Sequence, residues 1–183
     1  MKSAVDVHRV LLERGVNHEV VRLRRLILSA DELPDALGLD RDRCVVARMY
    51  EATAAGTTGL VAALVRPGDT PRASTLLEVT GAQEIVAARA DRVNDVTEFA
   101  ANLVCPALLP AGVPVFADAA ACTAPVVYTA TGDGGTALGI SVSDLLTVAG
   151  ARVGELVRAG SLVGAALDPS YDAVLELPGR SWH

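Results

Sequence analysis

Two apolar, β-prone runs, Cys44–Tyr50 and Leu60–Val65, stand close together, and the stretch between them holds Gly56 and Gly59. A parallel crossover needs a dozen or more residues and usually a helix. The runs are therefore expected to form an antiparallel hairpin turning at Gly56–Gly59. Helical signals surround this pair on both sides, so neither an all-β nor an all-parallel plan fits. The expected class is α+β: a mixed, partly closed, barrel-like β-sheet flanked by helices.

The flanking signals are specific. Ser3 and Asp6 form a capping-box pattern ahead of Val7, Val10 and Leu11, and Gly15 stops the segment, which predicts a helix over 3–14. Val16–Val20 alternates as an edge strand would. Ser29 and Glu32 repeat the capping box before a short helix ending at Gly38. Thr70-Pro71 reads as an N-cap with proline at the first helical position, and Gly81 as the stop. Ile85–Ala87 is expected as a short strand and Asp95–Ala101 as a short helix. Strands are predicted at Val113–Ala117, Val126–Thr131 and Thr136–Ile140, then a helix capped by Ser141 and Asp144, and a last helix over 151–159. Residues 1–160 read as one domain, and 161–183 as an extended tail, docked or used for oligomer contact. A homodimer is a possible assembly.

Hydrophobic residues at 51% and charged residues at 21% supply a packed core in a chain of 183 residues. The richest apolar stretch, Phe99–Phe116, is broken by Asn102, Pro106, Pro110 and Pro114. A membrane helix needs roughly 18 uninterrupted apolar residues, so no membrane association is expected and the location is read as cytoplasmic. A net charge of −6 and 3% aromatics argue against a DNA-tracking surface or a base-stacking platform. Arg22, Arg24 and Arg25 form a dense basic cluster and Arg41, Arg43 and Arg48 a looser one; solvated loop arginines are the default account of the first.

Cys44, Cys105 and Cys122 form no CxxC pair, and His8, His18 and His183 have no ligand spacing, so no metal and no cofactor is expected. Gly132-Asp133-Gly134-Gly135-Thr136-Ala137 matches a dinucleotide fingerprint in letters only, because the following Leu138-Gly139-Ile140 reads as strand where a helix would have to start. No P-loop and no GxSxG elbow occurs. The acid pairs Asp31/Glu32 and Asp40/Asp42 look like helix-start and loop residues.

The order of several short pieces resembles the YbaK/EbsC family of aminoacyl-tRNA deacylases and related editing domains, over about residues 3–158. They are Gly15-Val16-Asn17-His18-Glu19-Val20, Leu37-Gly38-Leu39, Leu60–Val65 with Pro67-Gly68-Asp69, Thr97-Glu98-Phe99, Asn102–Pro106, Val113–Asp118, the Gly132–Gly135 turn and Asp144-Leu145-Leu146. The resemblance implies hydrolysis of the ester of a mischarged small amino acid on tRNA, with the aminoacyl-tRNA acceptor end as partner.

Two departures from the family pattern stand out. The family lysine falls on Ala47 within Val45-Val46-Ala47-Arg48, and a one-residue shift would put Arg48 there instead. The glycine of the family's GxxxP loop falls on Asn102, while Pro106 is kept. By this resemblance Arg48 and Asn102 are the candidate catalytic residues. Thr97, Phe99, Pro106, Asp118, Gly132, Gly134 and Gly135 are the candidate substrate-binding residues. Side chains alternate across a strand, so Ala47 and Arg48 cannot share one cleft without a bulge. The missing lysine keeps an alternative open: a catalytically inactive binding module for a small ligand, a tRNA 3′ end or a protein partner. Cys105 beside the loop is a weaker third candidate, for thiol chemistry, although no base accompanies it.

Overall fold

The structure is a computed structural model and describes residues 1–157. Helix α1 (Ala4–Glu13) starts at the Ser3/Asp6 capping box, with Val7 and Leu11 buried. Strand β1 (His18–Arg22) follows. The Ser29/Glu32 capping box opens a 3₁₀ turn, Ala30–Glu32, that runs into α2 (Leu33–Leu37), closed by Gly38 in the left-handed region. A 3₁₀ turn at Arg41–Arg43 leads into the expected hairpin, β2 (Val46–Ala54) and β3 (Thr57–Val65). Its turn is Ala55-Gly56, two residues with φ of 49° and 79°. Such a two-residue loop matches the twist of paired strands. The turn thus lies earlier than Gly56–Gly59, and Gly59 is inside β3, opposite Ala52.

Helix α3 (Ala73–Thr80) begins later than Thr70-Pro71, because the Arg72 amide donates to the Leu156 carbonyl (3.1 Å) and holds that residue extended as the N-cap. After β4 (Glu84–Ala87) comes α4 (Ala90–Thr97), several residues earlier than the expected 95–101 helix. Thr97 ends it: its hydroxyl donates to the Val93 carbonyl (2.8 Å) and accepts from the Phe99 amide (3.1 Å). Then follow β5 (Val115–Asp118), β6 (Val126–Ala130), β7 (Thr136–Ser141) and α5 (Val142–Ala149), the last capped by Ser141 as expected.

In place of a helix over 151–159, residues Arg152–Gly154 form β8, parallel to β5. The Asp118 carboxylate fixes this exit by accepting the Leu156 and Val157 amides at 2.7 and 2.9 Å. Residues 158–159 of that expected helix and the 161–183 tail lie outside the described residues.

The mixed α+β class holds, but among the described residues the strands form two sheets and no closed barrel. One sheet has the order β1-β7-β6 and the other β4-β2-β3-β5-β8, with β3-β5 and β5-β8 parallel. A single bridge, Cys44 to Tyr128, joins them. One apolar cluster gathers Val7, Leu11, Val45, Met49, Leu60, Ala62, Leu64, Phe99, Val104 and Cys105 with β7 and α5. A second collects Leu23, Ile27, Leu33, Cys44, Val46 and Leu103. A third places Tyr50, Val61, Ala63 and Phe116 against Leu76 of α3.

Candidate functional site

Strand alternation decides the register that the residue pattern leaves open. Val45, Ala47 and Met49 pack with the first cluster, beside Val104 and Cys105. Val46 and Tyr50 belong to the other two. Arg48 pairs with Ala63 and Tyr50 with Val61, so Arg48 shares the third cluster's face. No bulge interrupts the β2–β3 register from Val46 to Ala54. Ala47 is therefore the residue on the Val104/Cys105 side, and Arg48 points away from it.

Arg48 is engaged where it is. Its guanidinium donates to both Asp31 carboxylate oxygens at 2.7 Å, and Nε donates to the Asp69 carbonyl at 3.3 Å. Asp31 also accepts the Gly68 amide at 2.8 Å. Burial by itself would raise the Asp31 carboxyl; the Arg48 hydrogen bonds and charge, with the Gly68 amide, outweigh it and hold the group below the usual carboxylate value. The neighbouring Asp69 side chain, 3% exposed, accepts from Arg41 and from Arg66 Nε (3.0 Å), and Arg66 reaches Asp42 at 2.9 Å. This network ties the 29–32 turn, the 40–43 turn and the 66–69 loop to the back of β2. Nothing local in the sequence pairs Asp31 with Arg48; Pro67-Gly68-Asp69 was the visible part of the network.

Asn102 sits in the 3₁₀ turn Ala101–Leu103, exposed, and its side chain makes no hydrogen bond among the described residues. The turn straddles two clusters: Ala101 packs against the first and Leu103 belongs to the second. Pro106 is buried and opens a further 3₁₀ turn, Pro106–Leu108. The Cys105 thiol between them is fully buried. Burial pushes it up to about 12 despite the Ala107 and Leu108 amides donating to it, so it is a protonated thiol at neutral pH and a poor nucleophile.

The remaining candidate residues are packed into the frame and are not gathered at one point. Phe99 is fully buried, with the Lys2 ammonium 5.4 Å above its ring. Gly132 lies against it: a Cβ there would come within 2.6 Å of the Phe99 ring and 2.5 Å of the Lys2 carbonyl. Thr97, Phe99 and Gly132 thus form one unit leading into the Asn102 turn. A Cβ on Gly134 would meet the Ile27 carbonyl at 2.3 Å, and the Gly134 and Gly135 carbonyls accept the Ile27 and Leu23 amides, both at 2.9 Å. The glycine turn is therefore the seat of the 22–28 segment, and strand β7 follows it. Asp118 sits apart, at the end of β5, holding the 156–157 amides. An open groove of about 230 Å³, floored by Val61 and Phe116 and rimmed by Arg152, lies on the Tyr50 face of the sheet.

Among the described residues no group of three or more His, Cys, Asp or Glu could hold a metal, and no helix is long and apolar enough to cross a membrane. The arrangement is that of an α+β domain in which the uncharged residues Val45, Ala47 and Met49 lie beside a short loop that offers backbone amides and one free carboxamide. A family model for the aminoacyl-tRNA editing domain matches residues 26–148, which contain both β2 and the Asn102–Pro106 loop. The chain belongs to that family.

Among solved structures, one described as a candidate trans-editing enzyme for prolyl-tRNA synthetase is similar at 23% identity and a TM-score of 0.74, covering 85% of this chain and 97% of that one. A scaffold used for computational grafting of linear epitopes matches at 24% identity, TM-score 0.73, 85% and 97% coverage. A candidate signal transduction protein from Marinobacter aquaeolei VT8 matches at 16% identity and a TM-score of 0.59; 88% of this chain spans 32% of that one. At these identities the likeness establishes the fold. No curated protein matches the chain.

Proposed function

We propose that the protein hydrolyses, in trans, the ester that joins a mischarged small amino acid to tRNA. The observation that carries this reading is the exposed Asn102 carboxamide, without a hydrogen-bond partner among the described residues, in the turn before Pro106 and within the residues the editing-domain family matches. In such a hydrolysis water attacks the ester carbonyl carbon. The oxyanion of the tetrahedral intermediate then collapses, and the ribose oxygen leaves and takes the proton lost by the water. What the protein must supply is donors aimed at the developing oxyanion and an acceptor for the water. The Asn102 side chain offers both, and the loop amides add donors. Val45, Ala47 and Met49 are uncharged and the one charged residue further along that face of β2 is the acid Glu51, so an acidic amino acid side chain finds no counterion on this strand face, which favours a small neutral one.

Arg48 enters this reading as a positioning residue that fixes Asp31 and the 66–69 loop. Thr97, Phe99 and Gly132 hold the Asn102 turn, Pro106 shapes its exit, and Asp118, Gly134 and Gly135 serve the frame. A second reading has its own support: with Ala47 on the loop side and Arg48 turned away, β2 offers this face no cation. A non-catalytic module binding the acceptor end would look the same.

A deacylation time course with alanyl-, seryl-, prolyl- and cysteinyl-tRNA separates the two. For the hydrolase, Asn102→Ala is expected to lower kcat by about 100-fold, the scale of losing one oxyanion donor. Wild-type protein that leaves every substrate intact but gains activity as Ala47→Lys would establish the binding module instead. A wild type that neither binds nor cleaves any of them would end both.

A further inference from the structure

The chain is acidic, with 22 Asp and Glu against 16 Lys and Arg, yet residues 20–30 hold three arginines and no carboxylate. The structure sorts this segment by direction. Leu23 and Ile27 turn inward, 8% and 2% exposed, and join the cluster that contains Leu103. Their amides are pinned to the Gly135 and Gly134 carbonyls. Arg22, Arg24, Leu26 and Leu28 turn outward, the two leucines 77% and 82% exposed. Arg25 is neutralised by Glu32 at 2.5 Å. Arg22 and Arg24 make no side-chain hydrogen bond or ion pair among the described residues. By contrast Arg41, Arg48 and Arg66 are all taken up by Asp69, Asp31 and Asp42.

Two uncompensated cations on a rigidly seated segment, in an otherwise acidic chain, are complementary to a polyanion. The segment shares its apolar cluster with Leu103, the residue after Asn102. We infer that Arg22 and Arg24, with Leu26 and Leu28 beside them, are the docking surface for the tRNA acceptor end. The two guanidiniums contact backbone phosphates and the leucines cover the apolar faces of unstacked terminal nucleotides. This rests on the reading of the loop as an aminoacyl-tRNA site. It adds which face of the protein the RNA approaches: that of the 22–28 segment. Phosphate contacts position a nucleic acid without reading its sequence, so this surface sets affinity and leaves amino acid choice to the cleft.

The test is binding of a fluorescent acceptor-stem minihelix ending in CCA, titrated across a range of salt concentrations. Each arginine lost from a phosphate is expected to weaken binding and reduce the slope of log K against log salt by about 1. Arg22→Ala/Arg24→Ala should therefore flatten the slope by about 2. The lysine pair Arg22→Lys/Arg24→Lys should retain it, and Leu28→Ala should weaken binding with the slope unchanged. Arg89→Ala, on an exposed arginine already paired with Asp91, is the control that leaves both alone. Far-UV circular dichroism confirms that each variant is folded. If wild type binds and the arginine double variant keeps the full slope, the surface is misassigned while the proposed function stands. If wild type binds no minihelix even at low salt, both fall. If Arg22 and Arg24 are instead needed to bind a synthetase, the surface is a protein interface and the RNA assignment is overturned.

Discussion

The two sides of the strand that runs from Val45 into β2 carry different chemistries. On one, Val45, Ala47 and Met49 meet Val104 and Cys105 and present no charge. On the other, Arg48 is locked to Asp31, with Asp69, Arg41, Arg66 and Asp42 adjoining. A cation one residue along a strand is no substitute for a cation at the position itself, because the neighbour belongs to a different surface. The arginine on this strand has become a fastening for loops, and the face turned to the Asn102 loop receives no cation from β2.

The sharpest way to break that contrast is at Asp69. Its buried carboxylate balances two arginines, and removing one partner of a buried ionic cluster strands the others. Asp69→Ala is expected to cost about 3 kcal/mol, near the lower end for buried pairs because both arginines keep some solvent contact. Urea unfolding checks this. A loss below about 0.5 kcal/mol would place Asp69 with ordinary surface residues and undo the view of the network as a fastening.

A smaller effect is expected from exchanging the two neighbours. Arg48→Ala should destabilise by about 1–2 kcal/mol, since its ion pair is bidentate but about one-third exposed. Deacylation kcat should stay within about twofold of wild type once the fraction folded is matched. Ala47→Lys should destabilise by about 1 kcal/mol, the ordinary cost of a substitution at a half-buried position packed against an apolar cluster, and act on binding or turnover as well. The reverse pattern, kcat lost in Arg48→Ala at unchanged stability, would mean that the arginine reaches substrate after all.

Local signals carried most of the fold. Both capping boxes, the Gly38 and Gly81 stops and the Ser141 cap are fixed by neighbours within four residues, and each is where the pattern puts it; the hairpin forms as expected, with its turn at Ala55-Gly56 and Gly59 inside β3. The failures are at places where a distant partner wins. Arg72 is held extended by the Leu156 carbonyl, which delays α3. The Asp118 carboxylate and the β5 edge draw 152–157 into strand and loop. At the site, sequence reasoning could state that Ala47 and Arg48 face apart but could not say which faces the loop, because that depends on which cluster each side of the sheet covers. Asp31 was legible only as a helix-start acid; its partner is 17 residues on, in another element.

The smallest expected effect separates those two roles of Asp31 by pH. Its carboxyl titrates below its ordinary value of 3.8 in the folded protein, where Arg48 and the Gly68 amide favour the charged form against burial. A depressed carboxylate contributes stability that is fully present above the unfolded-state value. The contribution is lost as pH falls through the folded-state value. Asp31→Asn should therefore destabilise at pH 7, by less than Asp69→Ala does. The difference from wild type should close as pH drops below 3.8, disappearing once the native carboxyl is protonated. Urea midpoints at pH 7, 5, 4 and 3 read this directly. In an Arg48→Ala background most of the pH-7 difference should already be gone, since the pair acts as a unit. If instead the Asp31→Asn deficit is the same at every pH, the charge on Asp31 contributes nothing, and its carboxyl serves the 29–32 turn through hydrogen bonds that asparagine cannot reproduce.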